Sequence, residues 1–171
     1  VTKWGQVIYA FGCGLITFGI RYFGSYAEGV SYAAVINGIG VVIEVNSQTD
    51  FVAKNPQFVA LANKIAKTVA DTNPADVDDL LKKTVSGETA TVEEAVQELF
   101  LAIRENMKVR RFIRVEGIVE TYIHAGGSVG VMVKFDTDDA TAAKDEFVAM
   151  GKNVAMQVAA MSPEYLSESD I

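Results

Sequence analysis

The chain repeats itself, and no other feature constrains its fold as strongly. Phe58-Val59-Ala60 recurs as Phe147-Val148-Ala149, and at the same offset Ala66, Val69, Ala70 and Pro74 meet Ala155, Val158, Ala159 and Pro163. Upstream, Glu28-Gly29-Val30 recurs as Glu116-Gly117-Ile118, and Gly40-Val41-Val42-Ile43 as Gly130-Val131-Met132-Val133. Chance can supply one such triplet, but not an ordered set in which the apolar positions also agree. Two copies predict an α+β fold of two related lobes, each a small antiparallel sheet packed with a helix, and not a solenoid. The expected division is an atypical apolar segment over 1–26, a first lobe over 27–74, connecting helices over 75–115, and a second lobe over 116–171. Residues 28–74 and 116–163 should then superpose, with Gly40 over Gly130 and Phe58 over Phe147.

Local signals agree with the repeat. Asn37-Gly38 sits between two β-branched runs, and a type I′ turn wants positive φ at both central residues, so 30–36 and 39–46 read as a hairpin. Phe58, Leu61, Ala62, Ile65 and Val69 make one apolar stripe at helical spacing over 56–70. Asn55 is placed to cap that helix, and Pro56 suits its first turn. A short amphipathic helix follows at 76–83. Thr91-Val92-Glu93-Glu94 reads as a capping box opening a longer helix through Ile103. Strand texture returns over 109–124, 125–128 turns, 129–135 pairs back, and a last helix spans 142–161 before Pro163.

Composition narrows the functional classes. Twenty-two acidic against fifteen basic residues leave a formal charge of −7, the opposite of the basic field that a general nucleic-acid binder needs. A single cysteine, Cys13, excludes an internal disulfide, and with one histidine, His124, it cannot build a Cys/His zinc site. The first 26 residues stand apart: 7–23 is apolar, aromatic and glycine-rich, short of the roughly 20 apolar residues that span a membrane. It lacks the charged flank and small-residue cleavage site of a signal peptide. The rival reading is a membrane-anchored interaction scaffold with 7–23 as its anchor.

Several tempting motifs dissolve on inspection. Asp136-Thr137-Asp138-Asp139 begins like a calcium loop but has Thr141 where glycine belongs and Phe147 where the bidentate glutamate belongs. Gly126-Gly127-Ser128-Val129-Gly130 has neither the spacing nor the strand-to-helix setting of a dinucleotide site. Cys13 with His124 lacks an orienting third group for a nucleophilic dyad. Lys108, Arg110, Arg111 and Arg114 form the one basic cluster, for which a solvated strand or helix end is the plain explanation. The informative difference lies after each first hairpin. The first copy has Ser47-Gln48-Thr49-Asp50-Phe51-Val52-Ala53-Lys54-Asn55, whereas the second has Asp136-Thr137-Asp138-Asp139-Ala140 and no aromatic. Phe51 on its own reads as a partly buried loop aromatic, and His124 as an ordinary hairpin residue.

The stretch from Glu44 through Thr49-Asp50-Phe51-Val52 to Asn55 resembles the central signature of elongation factor Ts. The resemblance continues through Ile103-Arg104-Glu105-Asn106, Arg110-Arg111-Phe112 and Tyr122-Ile123-His124, and ends in 154–166. It covers about 27–171. It implies a guanine nucleotide exchange factor for elongation factor Tu, not an enzyme, working in the cytoplasm without cofactor, metal, membrane or direct nucleic-acid contact, and leaves a homodimer open. It further implies that Thr49, Asp50, Phe51 and Val52 meet the partner's GTPase domain and disturb its magnesium site. His124 and Ile103 are the matching positions for a second contact. Nothing in 1–26 matches the helical domain, with its Thr-Gly-Ala-Gly-like stretch, that opens the family, and the chain stops soon after Asp170 where longer members continue. The resemblance therefore implies a fragment or truncated form, with 1–26 foreign to the native reading.

Overall fold

The structure, a computed structural model, describes residues 5–11, 15–21, 29–36, 38–127 and 129–161. Strands β1 (Gly5–Phe11) and β2 (Leu15–Arg21) form an antiparallel hairpin. Strands β3 (Gly29–Ile36), β4 (Ile39–Asn46) and β5 (Lys108–Glu116) make a three-stranded antiparallel sheet with β4 in the centre. Strands β6 (Ile118–His124) and β7 (Val129–Phe135) make a separate antiparallel pair. The helices are α1 (Asp50–Ala53), α2 (Pro56–Thr72), α3 (Val77–Leu81), α4 (Val92–Ile103), α5 (Asp139–Ala142) and α6 (Asp145–Met161).

The strand alternation sorts residues into layers. On β4, Val41, Ile43 and Val45 turn to α2 and share a core with Phe58, Ile65 and Val69. On β7, Val129, Val131, Val133 and Phe135 turn to α6 and share a second core with Phe147, Ala155 and Val158. The opposite faces of the two sheets meet through Val42, Val119 and Met132, with Ala33, Ile113 and Val115 packed around them. The order of layers is helix, sheet, sheet, helix. Helices α3 and α4 join the lobes along the chain, but Leu80, Val92, Ala95 and Leu99 pack into the first core and not between the sheets.

The two copies agree in register as well as in order. Ser31 faces Glu44 as Val119 faces Lys134, and Ile36 faces Ile39 as His124 faces Val129. Between those last pairs the first hairpin has two connecting residues and the second has four. Asn37, the first half of the expected turn, lies outside the described residues, and Gly38 has the positive φ (+75°) that such a turn requires. Helices α2 and α6 are both 17 residues long, and each seats an aromatic edge-on against its sheet: Phe58 against Tyr32, Phe147 against Phe135. Burial pushes the Tyr32 phenol up to about 12. Residues 28 and 162–163 of the expected superposition lie outside the described residues, including the Pro163 helix stop.

Three expectations need correction. The strand texture of 109–124 is two strands in different sheets, because Gly117 breaks the run with φ of +119°, a conformation that side-chain-bearing residues rarely adopt. The last helix is two, α5 and α6, with Asp138 capping the first through Thr141 N at 2.9 Å and Thr141 Oγ1 at 2.8 Å. The acidic loop is thus a helix cap. The basic cluster is also largely internal: Arg110 Nη1 and Arg111 Nε donate to the buried Glu44 carboxylate at 3.1 and 2.8 Å, and Arg114 Nε donates to Ala70 O at 3.2 Å.

For the apolar segment, Cys13 lies outside the described residues, and 7–23 falls largely in β1 and β2. Among the described residues no helix is long and apolar enough to cross a membrane.

Candidate functional site

The loop after β4 is not a loop throughout. Residues 50–53 close one helical turn, α1, with Thr49 as its N-cap in extended backbone (φ −133°, ψ 154°). The second lobe repeats this turn as α5, with Asp138 in the capping position of Thr49 and Ala140 in that of Phe51. A four-residue helix cannot hold itself, because nucleation fixes several residues for one hydrogen bond. Val52 and Ala53 turn inward and are buried, anchoring α1 on the first core. Phe51 turns outward and is 81% exposed, the most exposed large apolar side chain among the described residues. Asp50, also exposed, accepts from Lys54 Nζ at 2.9 Å, and that hydrogen bond holds its carboxyl below the ordinary aspartate value.

His124 ends β6 at the tip of the second hairpin, where Ala125, Gly126 and Gly127 all take positive φ. It is exposed, and its Nδ1 lies 3.1 Å from the Tyr122 hydroxyl, which is two residues away on the same strand face. The turn of α1 and the tip of the second hairpin are brought together. Lys54 and Asn63 on one side, Ile123 and Gly126 on the other, and Ser31 and Ala33 of β3 line one open groove of about 440 Å³. Ile103 closes α4 and is half-buried against the first core, with its carboxyl-terminal neighbour Arg104 capping the helix in left-handed backbone (φ 66°).

A family model described as elongation factor TS matches residues 48–171. The chain belongs to the elongation factor Ts family. Curated relatives named elongation factor Ts include those of Herminiimonas arsenicoxydans (48% identical over 147 residues, 85% of this chain and 46% of the relative) and Trichlorobacter lovleyi (41% over 151 residues, 84% and 49%). That of Clostridium perfringens is 40% identical over 150 residues, 85% of this chain and 48% of the relative. The chain therefore spans about half the length of the curated elongation factor Ts relatives it matches. A second family model, described as the NQR2, RnfD, RnfE family, matches residues 1–46. The relatives' alignments are longer than 48–171, so the elongation factor Ts likeness reaches upstream into β3 and β4. That agrees with the shared core of β4 and α2.

What holds the α1 turn lies outside the site residues that the sequence singled out. Thr49 Oγ1 lies 3.0 and 2.9 Å from the two carboxylate oxygens of Glu105, and Asn106 N donates to Gln48 Oε1 at 3.0 Å. Glu105 and Asn106 belong to the Ile103-Arg104-Glu105-Asn106 stretch that carries part of the family resemblance, which was the signal available.

Proposed function

We propose that this chain is the part of a guanine nucleotide exchange factor that engages elongation factor Tu and promotes release of its GDP. What carries this reading is Phe51, a large aromatic left in water on a turn whose counterpart in the second lobe carries Ala140. An exposed aromatic on a rigid turn costs solvation until a partner covers it, and such side chains are the usual anchors of interfaces. Val52 and Thr49 serve the turn from inside, and Asp50 with Phe51 meets the partner. His124, at the tip of the second hairpin, and Ile103 make a second contact.

Release needs no bond to be made or broken by this chain. A magnesium ion on a nucleotide is held by few protein ligands plus water, so a small displacement of those ligands weakens it. By linkage, a factor that lowers nucleotide affinity by some ratio is itself bound less tightly, by the same ratio, when nucleotide is present. A soluble translation factor of this kind works in the cytoplasm. The test is to mix the chain with elongation factor Tu carrying labelled GDP and follow release. No acceleration above the spontaneous rate, at concentrations where the two proteins bind, overturns the reading.

A further inference from the structure

We infer that Glu105 is a positioning residue, a latch that holds α1 in the orientation that presents Phe51. The inference rests on the reading of Phe51 as the partner contact. Four residues cannot form a stable helix alone, so the orientation of α1 must come from its surroundings. Its own cap is weak, since Val52 N reaches Thr49 Oγ1 only at 3.5 Å. The strong bond at Thr49 is the other one. The hydroxyl has a single proton to give, and it lies within 3.0 Å of both Glu105 oxygens, a charge-assisted donation.

Two further bonds, from the residues just before Thr49, back the latch. Gln48 Oε1 takes the Asn106 amide, and Ser47 Oγ donates to Thr49 O at 3.0 Å, closing the chain around the cap. Residues 105 and 106 follow directly on the left-handed cap of α4 and lead into β5, so the tether runs from a packed helix and a sheet strand to the turn. The carboxyl-terminal side of α1 is joined without slack to α2, through Asn55, which caps α2 by accepting from Gln57 N at 2.8 Å. The turn of the second lobe is held differently. Among the described residues the Asp138 side chain caps α5 locally, through Thr141 N and Oγ1, and there Phe51 has become Ala140. The long-range tether accompanies the exposed aromatic.

The experiment compares Glu105→Ala with Glu105→Gln, which keeps an oxygen at nearly the same reach. Amide exchange in the free protein reports the turn at Ala53 and Lys54, whose amides bond Thr49 O and Asp50 O, with Val59 of α2 and Ile43 of β4 as references. In Glu105→Ala, exchange at Ala53 and Lys54 should quicken by about fivefold or more while the references hold. GDP release from elongation factor Tu should slow about tenfold, the effect of one charge-assisted hydrogen bond. Glu105→Gln, which keeps an acceptor but not the charge, should fall between the alanine variant and the unmodified protein on both readouts. If Glu105→Ala does not fold, Glu105→Asp, one methylene shorter, carries the same comparison. Unchanged turn amides in the alanine variant overturn the latch whatever the exchange assay shows. Loosened amides with undiminished GDP release also overturn the positioning role, provided that Phe51→Ala does slow release. If Phe51→Ala has no effect either, the latch stands and the reading of Phe51 as the contact fails.

Discussion

Gly40 and Gly130 occupy equivalent places on the two sheets, and each lies against the other lobe's hairpin. A Cβ on Gly40 would come within 2.8 Å of Val119 Cγ2 and closer still to Met132 Sδ. One on Gly130 would stand 3.0 Å from Ser31 Cβ and 3.1 Å from Val42 Cγ1. By register, Ser31 and Val42 are the counterparts of Val119 and Met132, so the joint is a pseudo-two-fold contact in which each glycine makes room for the same pair of positions. Gly40→Ala should therefore destabilise the protein by about 1–3 kcal/mol, the cost of overpacking a filled interior. Gly130→Ala should cost less, because its neighbours need give only a few tenths of an ångström. Urea unfolding of both variants decides, and a neutral Gly40→Ala would show that the sheets are not in close contact.

The Glu44 carboxylate is buried between Arg110 and Arg111, on the sheet face that meets the second lobe. Glu44→Ala removes the buried carboxylate that both guanidinium groups bond. It should cost about 2–3 kcal/mol, short of a fully buried pair because both arginines keep some contact with water. Chemical denaturation is the measurement, and a loss below the scatter of surface substitutions would mean that the cluster is solvated.

Phe51→Ala should leave stability unchanged, since the ring is 81% exposed. It should weaken the complex with nucleotide-free elongation factor Tu by about 2 kcal/mol, roughly thirtyfold, and slow GDP release in step. Asp50→Ala should act in the same direction and His124→Ala less. Phe112→Ala is the contrast: that ring packs on the first core opposite Ile43, so its loss should lower the melting temperature. A folded Phe51→Ala that stimulates release as well as the unmodified chain removes the wedge.

Glu120 lies on β6 with its Cβ and Cγ over Gly151 of α6, where burial raises its carboxyl above the ordinary 4.5 while Lys152 pulls it back down. A folded-state value above the unfolded one means that stability is fullest below 4.5 and falls as pH rises through the folded value. Glu120→Gln removes this fall. Its melting temperature relative to the unmodified protein should rise between about pH 3 and pH 7. A difference that stays flat with pH would show that the carboxylate is fully solvated.

The repeat made the architecture legible, because matching apolar positions in matching order can only mean matching burial. It also contained the break that texture concealed. Strand-forming residues recur from Val109 to His124 on both sides of Glu116-Gly117, yet that pair repeats Glu28-Gly29, the start of the first copy, so a new strand had to begin there. The Thr49–Glu105 and Glu44–Arg111 bonds were not legible, because partners 56 and 67 positions apart have no local pattern. The exposure of Phe51 was legible only by contrast with Ala140. Nothing in a single loop distinguishes an apolar side chain that anchors inward, as Val52 does, from one that faces water.

The two extra residues of the second hairpin lie beyond its last paired position, His124 and Val129. They lengthen the tip and leave every pairing beneath it unmoved. A duplicated lobe built in this way can try out new tips one copy at a time, since no cross-strand partner is disturbed. A change at the glycine joint has no such liberty, because it must be accepted by the other copy at once. Divergence is therefore cheap at the rim and shared at the middle, and the ancestry of the two lobes is written where they touch.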